Sequence, residues 1–353
     1  MEFIQSFNWF LAGIVFALVV VAYYLARHAA ISRMGYTRYF MQSGVFQGEI
    51  CELVEEVSNN SLLPLLFVDV ESFIPGELSP AGYSGERAPM QMYVSRFHLA
   101  PFTKVKRTIR VQCYKRGDYS LETVSVRYLF TRIFIESKTQ IYVYPAALEQ
   151  VEKDPMQSDA QSLFLSERKL IQDPFSFSGI RDYRRGDPFR SINFKASAKN
   201  MALMVNTREF ISVRNFMVYI DFHPKVGEGK PEEFDDLMER AMAYTADLLQ
   251  KAIRSGCAAG FAANSRNSTG EIFVNYPMGT GYNHYTEILT EMAKIRLIAG
   301  KSLSAVMAAD LNRLKHAEVF VYTLNPEQDF GGCLDVFRAM GNSVSIVQMK
   351  EDE

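Results

Sequence analysis

Eighteen uncharged, mostly apolar residues run from Trp9 to Ala26, and the first positive side chain, Arg27, follows them directly. As a helix this stretch would be about 27 Å long, close to the thickness of a bilayer's hydrocarbon core. It is therefore expected to be a transmembrane anchor, and everything after it is soluble in composition. No Lys or Arg precedes the segment, whereas Arg27, Arg33 and Arg38 follow with His28 between them. Positive flanks stay on the cytoplasmic side, so a single-pass cell-membrane protein with cytoplasmic domains is expected. The rival is a secretory signal peptide, which wants a basic start, a shorter apolar core and a small-residue cleavage site. Here the start carries only Glu2, and Tyr23, Tyr24 and Arg27 occupy the region where cleavage would fall.

A net charge of −2 removes the basic excess that nucleic-acid binding normally shows, so no nucleic-acid partner is expected. Cys51, Cys113, Cys257 and Cys333 are far apart in sequence, with no Cys-x-x-Cys pair. They imply neither a zinc site nor a disulfide framework, and free thiols suit a reducing cytoplasm.

The length after the anchor is enough for two ordinary domains. After residues 1–40, the anchor and juxtamembrane segment, period-two patterning dominates residues 41–147. Ile109, Val111 and Cys113 alternate with Arg110 and Gln112; Val124, Val126, Tyr128 and Phe130 with Ser125 and Arg127; Ile141 and Val143 with Tyr142 and Tyr144. These runs read as strands with one buried face, most simply in a β-sandwich. Residues 148–212 read as a linker with one short helix between Ala146 and Pro174. Residues 213–353 change character. Phe216 to Ile220 is a continuous apolar run ending at Asp221, as in a strand buried on both faces. A helix begins at Pro231 and stops before Gly256, and further strands are expected at 258–262, 272–274, 318–324 and 343–347, with a helix from about Phe330 to Met340. Alternating strands and helices predict a doubly wound α/β domain, so the whole is an α+β multidomain chain.

One segment is more particular than periodicity requires. Gly179-Ile-Arg181-Asp-Tyr183-Arg-Arg-Gly186-Asp187 leads into Arg190-Ser-Ile-Asn-Phe194 and Ser197-Ala-Lys199. It resembles the signature of the bacterial family called domain of unknown function 58, with Phe194 where that family usually has Trp and Lys199 where it usually has Arg. Tyr114 to Tyr119 is similar to the Arg-Gly-x-Tyr turn of that family's β-domain, and Val143-Tyr144-Pro145 to its closing strand. Many members carry two membrane helices where this chain has one. The resemblance covers nearly the whole chain. It implies a membrane-tethered cytoplasmic protein with a von Willebrand factor A-like C-terminal domain, of a kind commonly encoded beside a MoxR-type AAA ATPase.

In von Willebrand factor A domains the first strand usually ends in Asp-x-Ser-x-Ser, which holds a divalent ion; oxygen ligands of this kind suit magnesium and calcium. Here the matching residues are Asp221-Phe222-His223-Pro224-Lys225, so the Asp survives and both hydroxyls are replaced. The expectation is a degenerate site with a structural Asp221 and no cofactor, magnesium binding there being the less favoured alternative. The stretch from Arg181 to Lys199 carries six positive and two negative side chains. A structural network of Gly179, Arg181, Tyr183, Gly186, Asp187, Arg190 and Lys199 is expected, with Tyr183 and Phe194 as packing residues. Arg184 and Arg185 are expected to face a partner, since guanidinium forks suit carboxylate and phosphate. Gly279 to His284 reads as a turn whose Asn283 caps the next helix. Gly300-Lys301-Ser302 lacks the upstream Gly of a P-loop.

No catalytic signature rises above chance; His223 and His284 are the candidates for a scattered constellation. The expected function is thus a non-enzymatic, membrane-tethered adaptor that docks a protein partner, which the resemblance suggests is the MoxR-type ATPase. The alternatives are a metal-dependent adhesion module and, third, a hydrolase.

Overall fold

A computed structural model describes residues 2–81, 88–129, 131–148, 171–172, 179–184, 187, 189–207, 210–211, 215–224, 231–328 and 330–349. The chain forms two compact units, Met1–Ala147 with Leu289–Ile295, and Leu148–Ile288 with Arg296–Glu353.

The first unit opens with helix α1 (Glu2–Ile31), whose stretch Trp9–Ile31 is long and apolar enough to cross a membrane, its most apolar window having a mean hydropathy of 2.3. Nine strands follow: β1 (Met34–Phe40), β2 (Gly44–Phe46), β3 (Ile50–Asn59), β4 (Leu65–Pro75), β5 (Leu78–Pro80), β6 (Met90–Leu99), β7 (Lys104–Cys113), β8 (Gly117–Tyr128) and β9 (Thr131–Tyr144). They form a four-stranded sheet ordered β1-β3-β7-β5 and a five-stranded sheet ordered β2-β9-β8-β4-β6. The alternation read from the sequence is the buried face: Ile109, Val111, Cys113, Val124, Val126, Ile141 and Val143 all point into cores shared by the two sheets. Phe130 lies outside the described residues. The domain begins earlier than residue 41, because Met34–Phe40 pairs in full with β3, from Met34 opposite Asn59 to Phe40 opposite Leu53. Arg38 is therefore no juxtamembrane flank. It is buried between the sheets, where its guanidinium donates to the carbonyls of Ser137 and Thr123.

The expected linker carries structure of its own: β10 (Ile171–Gln172), β11 (Gly179–Asp182), α2 (Phe194–Asn200), β12 (Met204–Thr207) and β13 (Phe210–Ile211). The short helix expected between Ala146 and Pro174 falls largely outside the described residues. Next come β14 (Asn215–Ile220), α3 (Pro231–Arg254), β15 (Ala258–Ala263), β16 (Ser265–Asn267), β17 (Val274–Gly279), α4 (Tyr282–Lys294), β18 (Ile295–Ala299), α5 (Leu303–Ala308), β19 (Ala317–Thr323), α6 (Cys333–Ala339) and β20 (Ser343–Gln348). The main sheet is ordered β17-β15-β14-β19-β20, with β14, β15, β19 and β20 parallel and β17 antiparallel to β15. Phe216 to Ile220 is buried throughout because α5 and α6 cover the face carrying Met217 and Tyr219, while α3 packs against β14 and β15.

Three local expectations are corrected. The strand expected at 272–274 starts only at Val274, since the Ile272 carbonyl is instead taken by the N–H of Lys301. The last helix starts at Cys333, not Phe330, because Gly331 and Gly332 both adopt positive φ and interrupt it. Asn283 is no cap. It lies inside α4, and Gly281, at φ +91°, accepts the first helical hydrogen bond from Tyr285.

Candidate functional site

In an open parallel sheet, binding crevices form beyond the carboxyl ends of the strands where the order reverses. Here that point is the end of β14, flanked by β15 and β19. Three strand ends meet there: Asp221 after β14, Asn264 after β15 and Thr323 closing β19. Asp221 is buried, and its backbone N–H donates to the Tyr322 carbonyl at 2.9 Å. Asn264 is oriented by its own Oδ1, which accepts the Phe222 N–H at 2.7 Å, so its amide nitrogen must face the Asp221 carboxylate. That nitrogen donates to Asp221 Oδ1 at 2.7 Å and lies 2.7 Å from His223 Nδ1. The His223 backbone N–H also reaches Oδ1, at 3.2 Å, and its ring Nδ1 lies 2.9 Å from the same oxygen. Thr323 Oγ1 donates to Oδ2 at 3.4 Å and accepts the Asn325 N–H at 3.1 Å.

These contacts decide what the carboxylate can do. A hard cation needs several oxygens turned towards it, whereas here nitrogen donors converge on Oδ1 and the Asn264 carbonyl points away. The donor set does not suit magnesium or calcium. Among the described residues no cluster of three or more His, Cys, Asp or Glu side chains could hold a metal. Lys225 lies outside those residues.

The two histidines are not brought together. His223 is tied to Asn264 after β15, while His284 Nε2 meets the carbonyl of Ala259 at the start of that strand, at 2.7 Å. Five residues of strand, roughly 16 Å, separate these anchor points. The ring of His284 also fills the space beside Gly279, where a β-carbon would collide with it.

The signature segment folds as a small motif. β11 pairs antiparallel with β12, from Gly179 opposite Thr207 to Asp182 opposite Met204. Asn193 caps α2 by accepting the Ala196 N–H at 3.0 Å, and its amide nitrogen donates to Asn206 Oδ1 at 2.7 Å. Arg181 grips Asp187 with both terminal nitrogens, each at 2.8 Å, and the Arg184 N–H adds a third bond of 2.8 Å to the same carboxylate. These donors pull the Asp187 carboxyl down to about 2. Tyr183 is half-buried and its N–H donates to the Leu203 carbonyl, while Lys199 sits exposed in the last turn of α2. Arg185, Gly186 and the side chain of Arg190 lie outside what the structure describes. Phe194 is not a packing residue: it is exposed, as are Phe189, Met201 and Leu203. Sequence patterning missed this, because the short helix buries none of its residues.

No family model matches the chain. The protein of Bacillus subtilis (strain 168) named uncharacterized protein YeaD is 21% identical, over 98% of this chain and 83% of its own length. Among solved structures, the CARDB domain of PF1109 from Pyrococcus furiosus aligns with 31% of this chain and 86% of that one, at 14% identity and a TM-score of 0.22. The alkylpurine DNA glycosylase AlkC of Pseudomonas fluorescens aligns with 31% of this chain and 30% of its own, at 12% identity and a TM-score of 0.21. Likenesses this weak carry no functional weight.

Proposed function

We propose that this chain is a membrane-anchored cytoplasmic scaffold of the family called domain of unknown function 58, whose α/β unit docks a protein partner, a MoxR-type AAA ATPase. The observation that carries this reading is the surface of the signature motif. Phe189, Phe194, Met201 (97% exposed) and Leu203 stand in water within fifteen residues of one another, beside the exposed side chains of Arg184, Lys195 and Lys199. Apolar groups gathered this way mark interaction sites. Aromatic residues, Met and Arg are the side chains enriched at interfaces. Arg181 and Asp187 neutralise each other, which leaves the motif's remaining charge positive and suited to an acidic partner surface.

The von Willebrand factor A-like reading draws support from Asp221, which closes β14, the first and central strand of the main sheet. The non-enzymatic reading draws support from the separation of His223 and His284. Cytoplasmic orientation rests on Arg27 and Arg33 following the apolar stretch with no basic residue before it.

The test is direct binding of the purified MoxR-type ATPase from the same genome to the full chain in nanodiscs. Phe194→Ser, Met201→Ser and Arg184→Glu should each weaken binding at least about tenfold, more so at low salt for the last. No binding by the parent chain removes the partner; binding indifferent to all three substitutions removes the surface. A reporter active only in the cytoplasm, fused after Glu353, checks the orientation.

A further inference from the structure

No linker separates α1 from the sandwich. Ala30 and Ile31, its last turn, are buried in a core with Met34, Tyr36, Val57 and Leu99. Arg27 donates to the Pro64 carbonyl and, at 2.5 Å, to the Tyr128 hydroxyl. From Ala26, the end of the apolar stretch, to Ala30 is four residues, about 6 Å of helix. A headgroup layer is about 5–7 Å deep. If α1 spans the bilayer, the end of the sandwich that receives it must lie among the headgroups.

That end is defined by strand register. Met34 faces Asn59, Ser58 faces Lys104, Leu65 faces Leu99 and Tyr128 faces Thr131. Four exposed apolar side chains stand on its loops: Leu62 between β3 and β4 (78% exposed), Phe67 in the irregular start of β4 (62%), Phe102 between β6 and β7 (67%) and Leu129 directly after β8 (56%). The buried Asn59 ties two of these loops together, donating to the carbonyls of Leu63 at 2.8 Å and Ala100 at 3.0 Å.

The Phe67 ring packs edge-on against His98, but the backbone does not favour these residues. Phe67, Phe102 and Leu129 adopt φ of +59°, +52° and +52°, a region that penalises a β-carbon and ordinarily takes Gly or Asn. At the opposite end of the sandwich, Gly48 takes the positive φ, at +88°. Arg33, exposed, adds positive charge at the end where α1 arrives, while Lys104 is paired with Glu56; an anionic lipid surface favours a basic flank of this kind.

We propose that Leu62, Phe67, Phe102 and Leu129 form a second membrane contact, inserting into the headgroup layer around the exit of α1 and holding the sandwich at a fixed tilt on the bilayer. The inference rests on the reading of α1 as a membrane-spanning anchor. Its occupant is lipid; were a protein to cover these loops instead, the side chains would stay in the aqueous phase when the chain alone is reconstituted.

The test uses the full chain, whose four natural cysteines are buried. Single substitutions Phe67→Cys, Phe102→Cys and Leu129→Cys, with Met41→Cys at the opposite end and Val15→Cys in mid-helix, are labelled with bimane. Each is reconstituted into phosphatidylcholine–phosphatidylglycerol vesicles carrying a nitroxide either high or deep on the acyl chain. The three loop positions should be quenched by the shallow nitroxide at least about twofold more than Met41→Cys, and Val15→Cys by the deep one. Quenching at Val15 with none at the loops overturns the proposal and leaves the anchor standing. No quenching at Val15 overturns the anchor. Should a label disturb its loop, the unlabelled cysteines decide: in vesicles they should react with a membrane-impermeant maleimide about tenfold more slowly than Met41→Cys. Equal rates overturn the proposal.

Discussion

Arg38 and Glu55 face each other across the β1–β3 ladder, both buried, and communicate through the hydroxyl of Ser72. Ser72 Oγ lies 3.5 Å from Arg38 Nη1 and donates to Glu55 Oε1 at 3.4 Å, where the Tyr36 hydroxyl also donates at 2.9 Å. Burial holds the Arg38 guanidinium below its ordinary range and pushes the Tyr36 hydroxyl well above its own. Glu55 Oε2 finds no hydrogen-bond partner among the described residues.

Removing one charge from this pair should cost more than removing both. Arg38→Met is expected to destabilise the chain by about 3–5 kcal/mol, by leaving Glu55 uncompensated, and Arg38→Met/Glu55→Leu to recover much of that loss. Denaturant unfolding in detergent, followed by circular dichroism, measures both. A double variant no more stable than the single one would dissolve the coupling.

The buried face of α3 makes a second prediction. Leu248 is 5% exposed, so Leu248→Ala should cost about 2–5 kcal/mol in the same measurement. A loss below about 1 kcal/mol would place that side chain outside the core.

What could be read from residues alone follows from what patterning encodes. Alternation exposed β7, β8 and β9 because each buries one face, and the run Phe216–Ile220 exposed β14 because it buries two. The same logic missed β1. On its inner face Met34 and Tyr36 alternate with Thr37 and Gly35 weakly, and a buried arginine at 38 looks like a charged flank until its partners are known. Asp221 was legible as the residue closing a strand, whereas Asn264 and Thr323 were not, since only the parallel register of β15 and β19 against β14 brings them to it. Phe194 misled for a related reason: an aromatic residue near a helix start carries no mark of which way it faces.

Asp187 supplies a titration. Its folded value of about 2 lies below the ordinary carboxylate value of about 3.9, so its contribution is present above that range and fades as pH falls through about 2. Carbon-13 NMR of the Asp187 carboxyl should report a midpoint near 2, moving towards the ordinary value in Arg181→Ala. A parent midpoint near 4 would mean that the guanidinium does not hold the carboxylate in solution.

Cys51 and Cys113, distant in sequence, bring their sulfurs to 3.6 Å inside the sandwich. In a chain whose sandwich faces the cytoplasm, all four cysteines should titrate as thiols when the purified protein is denatured without reductant under trapping conditions. Two thiols in place of four would reveal a Cys51–Cys113 bridge and argue for the opposite side of the membrane.

Millimolar magnesium should leave the melting temperature unchanged, because the nitrogen donors of Asn264 and His223 already occupy the Asp221 carboxylate. A magnesium-dependent rise that disappears in Asp221→Ala would restore the metal-dependent reading.

The direct passage from α1 into β1 also has a mechanical meaning. β1 lies at the edge of its sheet and is held along its whole length by β3. A pull between α1 and the rest of the sandwich passes through this strand, so the ladder is loaded in shear, its hydrogen bonds resisting together instead of parting one after another. If α1 is anchored in a bilayer as proposed, force applied to the folded chain passes to the helix before the strand can peel away.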